Sequence, residues 1–214
     1  MLDQLERPRL SKLLPTPRGT PFTFGYLVVL LATTLVVRFA DPTLTSKLLT
    51  LSSTDAHNLW RRPFLALFAS ALWVGGDLWL PYFLIFAVLV APLERRFKAR
   101  RTAGVFFAGH VLATLLTELP VMWGISAGLL PRSDAHWLDI GVSYGFFTTA
   151  GALVFLLARR RALAVAGLGL FVVVIYLSDD PSSLEAIITL AGHAIAALFG
   201  LLCCGPWLAR SPKK

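Results

Sequence analysis

The chain has 214 residues, of which 56% are hydrophobic and only 15% are charged, and its mean hydropathy is +0.70. A soluble domain carries roughly 25% charged residues, so this composition excludes an ordinary soluble enzyme and indicates a chain surrounded mostly by lipid. The formal net charge is +8, but the cations cluster at the ends of apolar runs, as they do in membrane proteins. We therefore expect no nucleic-acid partner.

Six apolar runs approach the length of about 20 residues that a helix needs to cross the hydrocarbon core. They cover residues 22–39, 78–93, 103–119, 143–158, 162–177 and 185–204. A basic, proline-rich arm over 1–21 precedes the first run, and a short basic tail over 206–214 follows the last. We predict an all-α integral membrane protein in which residues 22–205 form a bundle of six transmembrane helices.

Basic residues between the runs predict how this bundle is oriented. Arginine and lysine concentrate in the arm, in 95–101, in 159–161 and in the tail, whereas the other connections carry mainly aspartates. Cytoplasmic loops of membrane proteins are enriched in Lys and Arg, so all four basic segments belong on the cytoplasmic side. Six spans satisfy this condition, and five or seven do not. We expect a multi-pass membrane protein with both termini in the cytoplasm.

The connection over 41–77 is long and partly apolar, but Arg61, Arg62 and the Gly75-Gly76-Asp77 turn interrupt it. Trp and Arg both favour the membrane interface. An irregular backbone immersed in lipid would leave its amides unpaired. We therefore predict that this first loop forms short amphipathic helices in the outer interface.

The stretch 141–145 reads G-V-S-Y-G and matches G-x-S-x-G, the nucleophile motif of soluble hydrolases. That motif requires a strand–turn–helix in a parallel sheet, which a chain of apolar helices does not offer. We interpret the stretch as the outer entry to the fourth span, with Ser143 in its first turn.

A histidine on the sixth span is the natural partner for this serine. His193 lies about two turns into a helix that, like the fourth, runs inward from the outer face, so both residues fall in the outer half of the bilayer. Small residues let helices approach closely. Those predicted to pack the two spans are Gly141, Gly145, Gly151, Ala196 and Gly200.

A neutral histidine can activate a serine, and the N-terminal end of a helix favours a developing oxyanion. Asp139 is the nearest acidic residue in sequence but lies outside the span, so the pair would act as a Ser143–His193 dyad. No metal or cofactor is implied. Ordinary structural interpretations stay open, because Ser143 could cap the helix start or serve as a small packing residue, and His193 could bridge two helices by hydrogen bonds. His110 and Glu118 share one helix face and are interpreted as structural polar contacts.

Two further motifs and two spacings together resemble the rhomboid family of intramembrane serine proteases. Trp60-Arg61 matches the Trp-Arg motif of that family's first loop, and Glu94 with Arg96 matches the element that closes its second helix. The spacings from Ser143 to Gly151 and from His193 to Gly200 are also kept. The resemblance covers roughly residues 20–205. It implies a six-helix core with a serine on the fourth helix and a histidine on the sixth. The stretch G-V-S-Y-G resembles a divergent, actinobacterial-type branch of the family, which implies a location in the plasma membrane of a bacterium.

Three positions depart from the family pattern. Tyr144 replaces the glycine that follows the serine, and Leu78 and Tyr82 replace a His and an Asn that help to hold the oxyanion. The Tyr82 hydroxyl could donate in their place, and losing one such donor typically costs about 10²–10³ in rate. The resemblance therefore implies either a protease that cleaves transmembrane substrates or an inactive relative that binds transmembrane helices. Its expected partners are transmembrane-helix substrates or clients and membrane lipid.

Overall fold

The computed structural model describes residues 14–157, 160–178 and 183–210, and this part of the chain contains helices and no strand. Helices α1 to α10 cover Pro21–Phe39, Pro42–Ser52, Ala56–Arg61, Pro63–Ser70, Trp79–Ile85, Ala91–Ser126, Ser143–Leu156, Arg161–Ser178, Leu184–Phe199 and Gly205–Arg210. The π-helical segments Phe86–Val90 and Gly200–Cys204 join α5 to α6 and α9 to α10, and a 3-10 turn at Arg132–Ala135 precedes α7. Most of the predicted arm, Arg159 and the end of the predicted tail lie outside the described residues.

Within the described residues, three continuous helical stretches are long and apolar enough to cross a membrane. They are Pro21–Phe39, Trp79–Ser126 and Leu184–Arg210. The apolar segments of α7 and α8, Ser143–Leu156 and Ala162–Val174, are shorter than these three stretches. Each of these elements coincides with one or two of the apolar runs in the sequence, so the prediction of an all-helical bundle is confirmed at this level.

The longest stretch is two helices rather than one. Lys98 has φ 70° and ψ 162°, a backbone conformation that residues other than glycine rarely adopt. The rings of Phe86 and Phe106 lie 5.9 Å apart, whereas twenty residues of straight helix would separate them by about 30 Å. The chain therefore reverses at Lys98, inside the basic segment 95–101. Beyond it, α6 continues to Ser126, past the predicted end at 119, and includes Pro120 and the fully buried Glu118.

Glu94 fixes the start of α1 against α6. Its buried carboxylate accepts hydrogen bonds from the N–H of Phe22 at 2.8 Å, the N–H of Thr23 at 2.8 Å and the Thr23 hydroxyl at 2.7 Å. First-turn N–H groups have no partner within their own helix, and negative charge is favourable there. This one side chain therefore caps α1 and also anchors it to the second apolar stretch.

Helices α2, α3 and α4 occupy the segment between α1 and α5. Asp55 caps α3 by accepting from the N–H of Asn58 at 2.8 Å. The His110 Nε2 atom of α6 lies 2.9 Å from the Leu67 carbonyl oxygen and 3.3 Å from the Ser70 hydroxyl, which attaches α4 to the bundle. His110 is thus a structural polar contact between the first loop and α6.

Candidate functional site

A cavity of about 770 Å³ opens between α5, α7, α9 and the segment that precedes α7. Its wall includes Ser143 and His193, the two residues proposed from the sequence as a dyad, and Tyr82, the candidate oxyanion donor. Most of the remaining wall is apolar. Two carboxylates, Asp139 and Glu185, also line it.

The backbone before α7 is shaped by Gly141. Its φ of 138° lies in a region that side-chain-bearing residues rarely adopt, and its N–H donates to the Ser70 carbonyl at 2.9 Å. Gly141 therefore lies outside the helix, in a turn tied to the end of α4. This turn places Ser143, two residues later, in the first turn of α7 at the cavity wall.

Ser143 does not cap the helix that it begins. The N-cap position of α7 is Val142, and no side chain makes a cap hydrogen bond there. The half-buried Ser143 hydroxyl forms no hydrogen bond with any described residue. The ordinary interpretation of Ser143 as a capping serine therefore does not hold.

His193 is held by aromatic rings and not by hydrogen bonds. Its side chain is 4% exposed, and neither ring nitrogen has a hydrogen-bond partner among the described residues. The Phe147 ring lies 4.4 Å from the imidazole centroid, and the Tyr144 ring meets it edge-on at 5.6 Å. The interpretation of His193 as an interhelical hydrogen bonder is not supported, and Ser143 and His193 share the cavity without a direct hydrogen bond.

Tyr144, which replaces the glycine of the family pattern, points into the bundle between α6 and α9. It is 4% exposed, and its ring packs so closely on the backbone of Gly192 that a Cβ at that position would overlap it. On the other side the His110 ring lies 6.3 Å away. The large side chain is therefore accommodated inside the bundle, where Gly192 makes room for it.

Tyr82 is already engaged with the loop before α5. Its hydroxyl accepts from the N–H of Gly75 at 2.9 Å and lies 3.3 Å from the Gly75 carbonyl oxygen, to which it can donate. To act as an oxyanion donor, Tyr82 would give up its contact with that carbonyl. The position is compatible with the role only after this rearrangement.

Asp139 belongs to the cavity wall although the sequence placed it outside the span. Its carboxylate accepts from the Thr54 hydroxyl at 2.7 Å, and its N–H donates to the Ser53 hydroxyl at 3.0 Å. The pKa of Asp139 is raised to about 6, mainly by burial and also by the Glu185 and Asp55 carboxylates, against the lowering effect of the Thr54 hydrogen bond. No local motif could have shown that residues so far apart in sequence share one wall.

Glycines bring α7 and α9 into close contact. A Cβ at Gly151 would overlap the backbone of α9 and the start of the following π-helical segment, and a Cβ at Gly200 would overlap the backbone of α7. Ala196 is fully buried between them. Gly145 faces the Phe106 ring of α6 instead. The spacing that holds Ser143 near His193 thus depends on backbone approach at two glycines.

No group of three or more His, Cys, Asp or Glu side chains that could hold a metal ion occurs in the described ranges. A family model for rhomboid-like proteins matches residues 17–214. Comparison with curated proteins and with solved structures gave no significant match. The family model covers most of the chain and agrees with the long apolar helices, so this chain belongs to the family of rhomboid-like proteins and is a membrane protein.

Proposed function

We propose that the protein is an intramembrane serine endopeptidase that cleaves transmembrane substrates with a Ser143–His193 dyad. The observation that carries this proposal is the shared cavity wall: it holds a serine hydroxyl and a buried imidazole, neither of which forms a hydrogen bond with a described residue. Burying such a polar group without a partner costs roughly 1–3 kcal/mol. A site that uses the imidazole accounts for this cost, whereas capping or helix bridging does not.

The proposed topology has six membrane crossings with both termini in the cytoplasm. The reversal at Lys98 divides the 48-residue helical stretch into two antiparallel passes, and α1, α7, α8 and the α9–α10 stretch supply the other four. The basic segment 95–101 then lies at a cytoplasmic turn, as the enrichment of cytoplasmic loops in Lys and Arg requires. The membrane is the plasma membrane of a bacterium.

In the proposed reaction, the Ser143 Oγ atom bonds to the scissile carbonyl carbon while its proton passes to His193. The protonated imidazole then gives that proton to the leaving amine as the peptide C–N bond breaks. A water molecule then bonds to the acyl carbon while its proton passes to His193. His193 returns that proton to the Ser143 Oγ atom as the bond between this oxygen and the acyl carbon breaks. The Ser143 backbone N–H, in the first turn of α7, faces the developing oxyanion, with the Tyr82 hydroxyl as a second donor. Catalytic hydrogen bonds that are absent without substrate often form in the complex.

A non-catalytic protein that binds transmembrane helices is the second candidate function. The engagement of the Tyr82 hydroxyl with Gly75 favours it, since this leaves a single backbone donor for the oxyanion. In that case the cavity would hold a client segment without cleaving it.

Labelling with a fluorophosphonate probe separates the two functions. We expect the purified protein in lipid to be labelled, and Ser143→Ala and His193→Ala each to lose the label. Ser126→Ala is the matched control, because Ser126 is exposed and bonds only to its own helix at the Trp123 carbonyl. An unlabelled wild type that also leaves a model transmembrane substrate intact would overturn the protease proposal.

A further inference from the structure

The cavity wall carries negative charge without a basic counterpart. Asp139 lies on the segment before α7, and Glu185 lies in the first turn of α9. Among the described lining residues, no lysine or arginine is present, and His193 is the only other ionisable side chain apart from Tyr82 and Tyr144. Neither carboxylate forms an ion pair within the described residues. Two acidic groups from separate elements therefore face one space.

The single arginine of α1, Arg38, forms its ion pair with a residue other than these two carboxylates. Arg38 pairs with Asp77 at 3.8 Å, and both side chains are more than half exposed. The Glu185 carboxylate repels the Asp139 carboxylate and, after burial, is one cause of the raised pKa of Asp139. A cation between them would remove this repulsion.

The rest of the wall is suited to the stem of a long basic side chain. Lys and Arg bury their methylene stems on apolar surface while the charged head keeps polar partners. Val74, Ile85 and Phe146 supply apolar surface in the same cavity. Independently of the two carboxylates, His193 lines the same cavity as a buried polar side chain: it is 4% exposed, and its ring nitrogens have no described partner.

We propose that the cavity selects transmembrane partners that carry a lysine or arginine at the outer end of their span, with the cationic head between Asp139 and Glu185. The inference rests on the proposed function only in that the partner enters this same cavity, and it holds for a cleaved substrate or a bound client alike. Membrane proteins place few cations outside, so this requirement restricts the set of partners. Charge complementarity of this kind gives specificity more than affinity.

The test measures binding separately from cleavage, in the full chain reconstituted in lipid nanodiscs and carrying Ser143→Ala. The probes are three fluorescent single-span peptides of about 20 apolar residues, identical except for Lys, Gln or Glu at the outer end. We expect the Lys peptide to bind roughly tenfold more tightly than the Gln peptide, and the Glu peptide to bind most weakly.

Substitutions then assign the preference to the two carboxylates. Asp139→Asn keeps an oxygen that can accept from Thr54 and so preserves the loop contact, and combined with Glu185→Gln it should abolish the difference between Lys and Gln peptides. Asp134→Asn, a carboxylate on the 3-10 turn outside the cavity, should leave it unchanged. Equal binding of all three peptides by the unsubstituted cavity would overturn the inference. A Lys preference without any fluorophosphonate labelling would keep it and remove only the protease.

Discussion

Two buried histidines of this protein differ in how many hydrogen bonds their ring nitrogens form. His110 bonds through Nε2 to the Leu67 carbonyl and the Ser70 hydroxyl, and only its Nδ1 has no described partner. His193 packs against two aromatic rings, and neither of its ring nitrogens has a described partner. A bonded imidazole contributes to stability, and an unpartnered one costs free energy. His110 therefore stabilises the fold, whereas the unpartnered nitrogens of His193 lower the free energy of unfolding.

Replacing each histidine by phenylalanine tests that distinction. We expect His193→Phe to raise the free energy of unfolding by about 1 kcal/mol, because buried polar atoms are removed, and to abolish fluorophosphonate labelling. His110→Phe should lower the free energy of unfolding by about 1–2 kcal/mol, because the Leu67 carbonyl loses its partner. Unfolding in detergent, followed by intrinsic fluorescence, gives both values. Equal destabilisation by the two changes would mean that His193 has a structural partner.

Residues that act through non-local contacts were the least accessible to sequence reasoning. Ser143 and His193 could be paired because each falls at a defined depth on an apolar helix, and their roles stay predictions. Asp139 was set aside for lying outside a span, yet its hydrogen bonds to Ser53 and Thr54 fix it on the cavity wall. A contact across more than 80 residues leaves no periodic signal in the chain.

At the scale of elements, the hydropathy pattern predicted where the main helices lie, whereas the exact helix ends depend on local geometry. The prediction of an apolar helix over 143–158 corresponds to Ser143–Leu156 in the structure. The basic cluster 95–101 correctly separated two helices, because the chain reverses at Lys98. The end of α6 at Ser126 was missed because Glu118 and Pro120 resemble a stop signal in sequence, but Glu118 is buried in the fold.

Close approach of α7 and α9 should be sensitive to one added methyl group. Gly200→Ala puts a Cβ against the Thr148 carbonyl and the Ala152 N–H, so we expect a loss of about 1–3 kcal/mol in the free energy of unfolding, as for other overpacked sites. Gly169→Ala on α8 is the matched control, since nothing lies within 4 Å of its added Cβ. This control should be neutral or stabilising, because alanine favours helix. Thermal unfolding in detergent measures both, and equal effects would contradict the proposed packing.

In the whole molecule, the positions of the basic segments and of the chain reversals must fit one topology in the membrane. The family assignment and the long apolar helices establish a rhomboid-like membrane protein, but they do not say which side each turn faces. The structure puts the Lys98 turn and the 3-10 turn Arg132–Ala135 at opposite ends of the second half of α6. If α6 crosses the membrane after Lys98, these two turns lie on opposite sides of it.

Cysteine labelling in intact cells decides this orientation. Both native cysteines are free, so the background carries Cys203→Ala and Cys204→Ala, and single cysteines are introduced as Arg100→Cys or Arg132→Cys at exposed positions. Because Lys- and Arg-rich turns stay in the cytoplasm, we expect a membrane-impermeant maleimide to label Arg132→Cys in intact cells and Arg100→Cys only after permeabilisation. The reverse pattern would invert the bundle and put the cavity with Ser143 on the cytoplasmic side. Labelling of both sites in intact cells would mean that α6 does not cross the membrane.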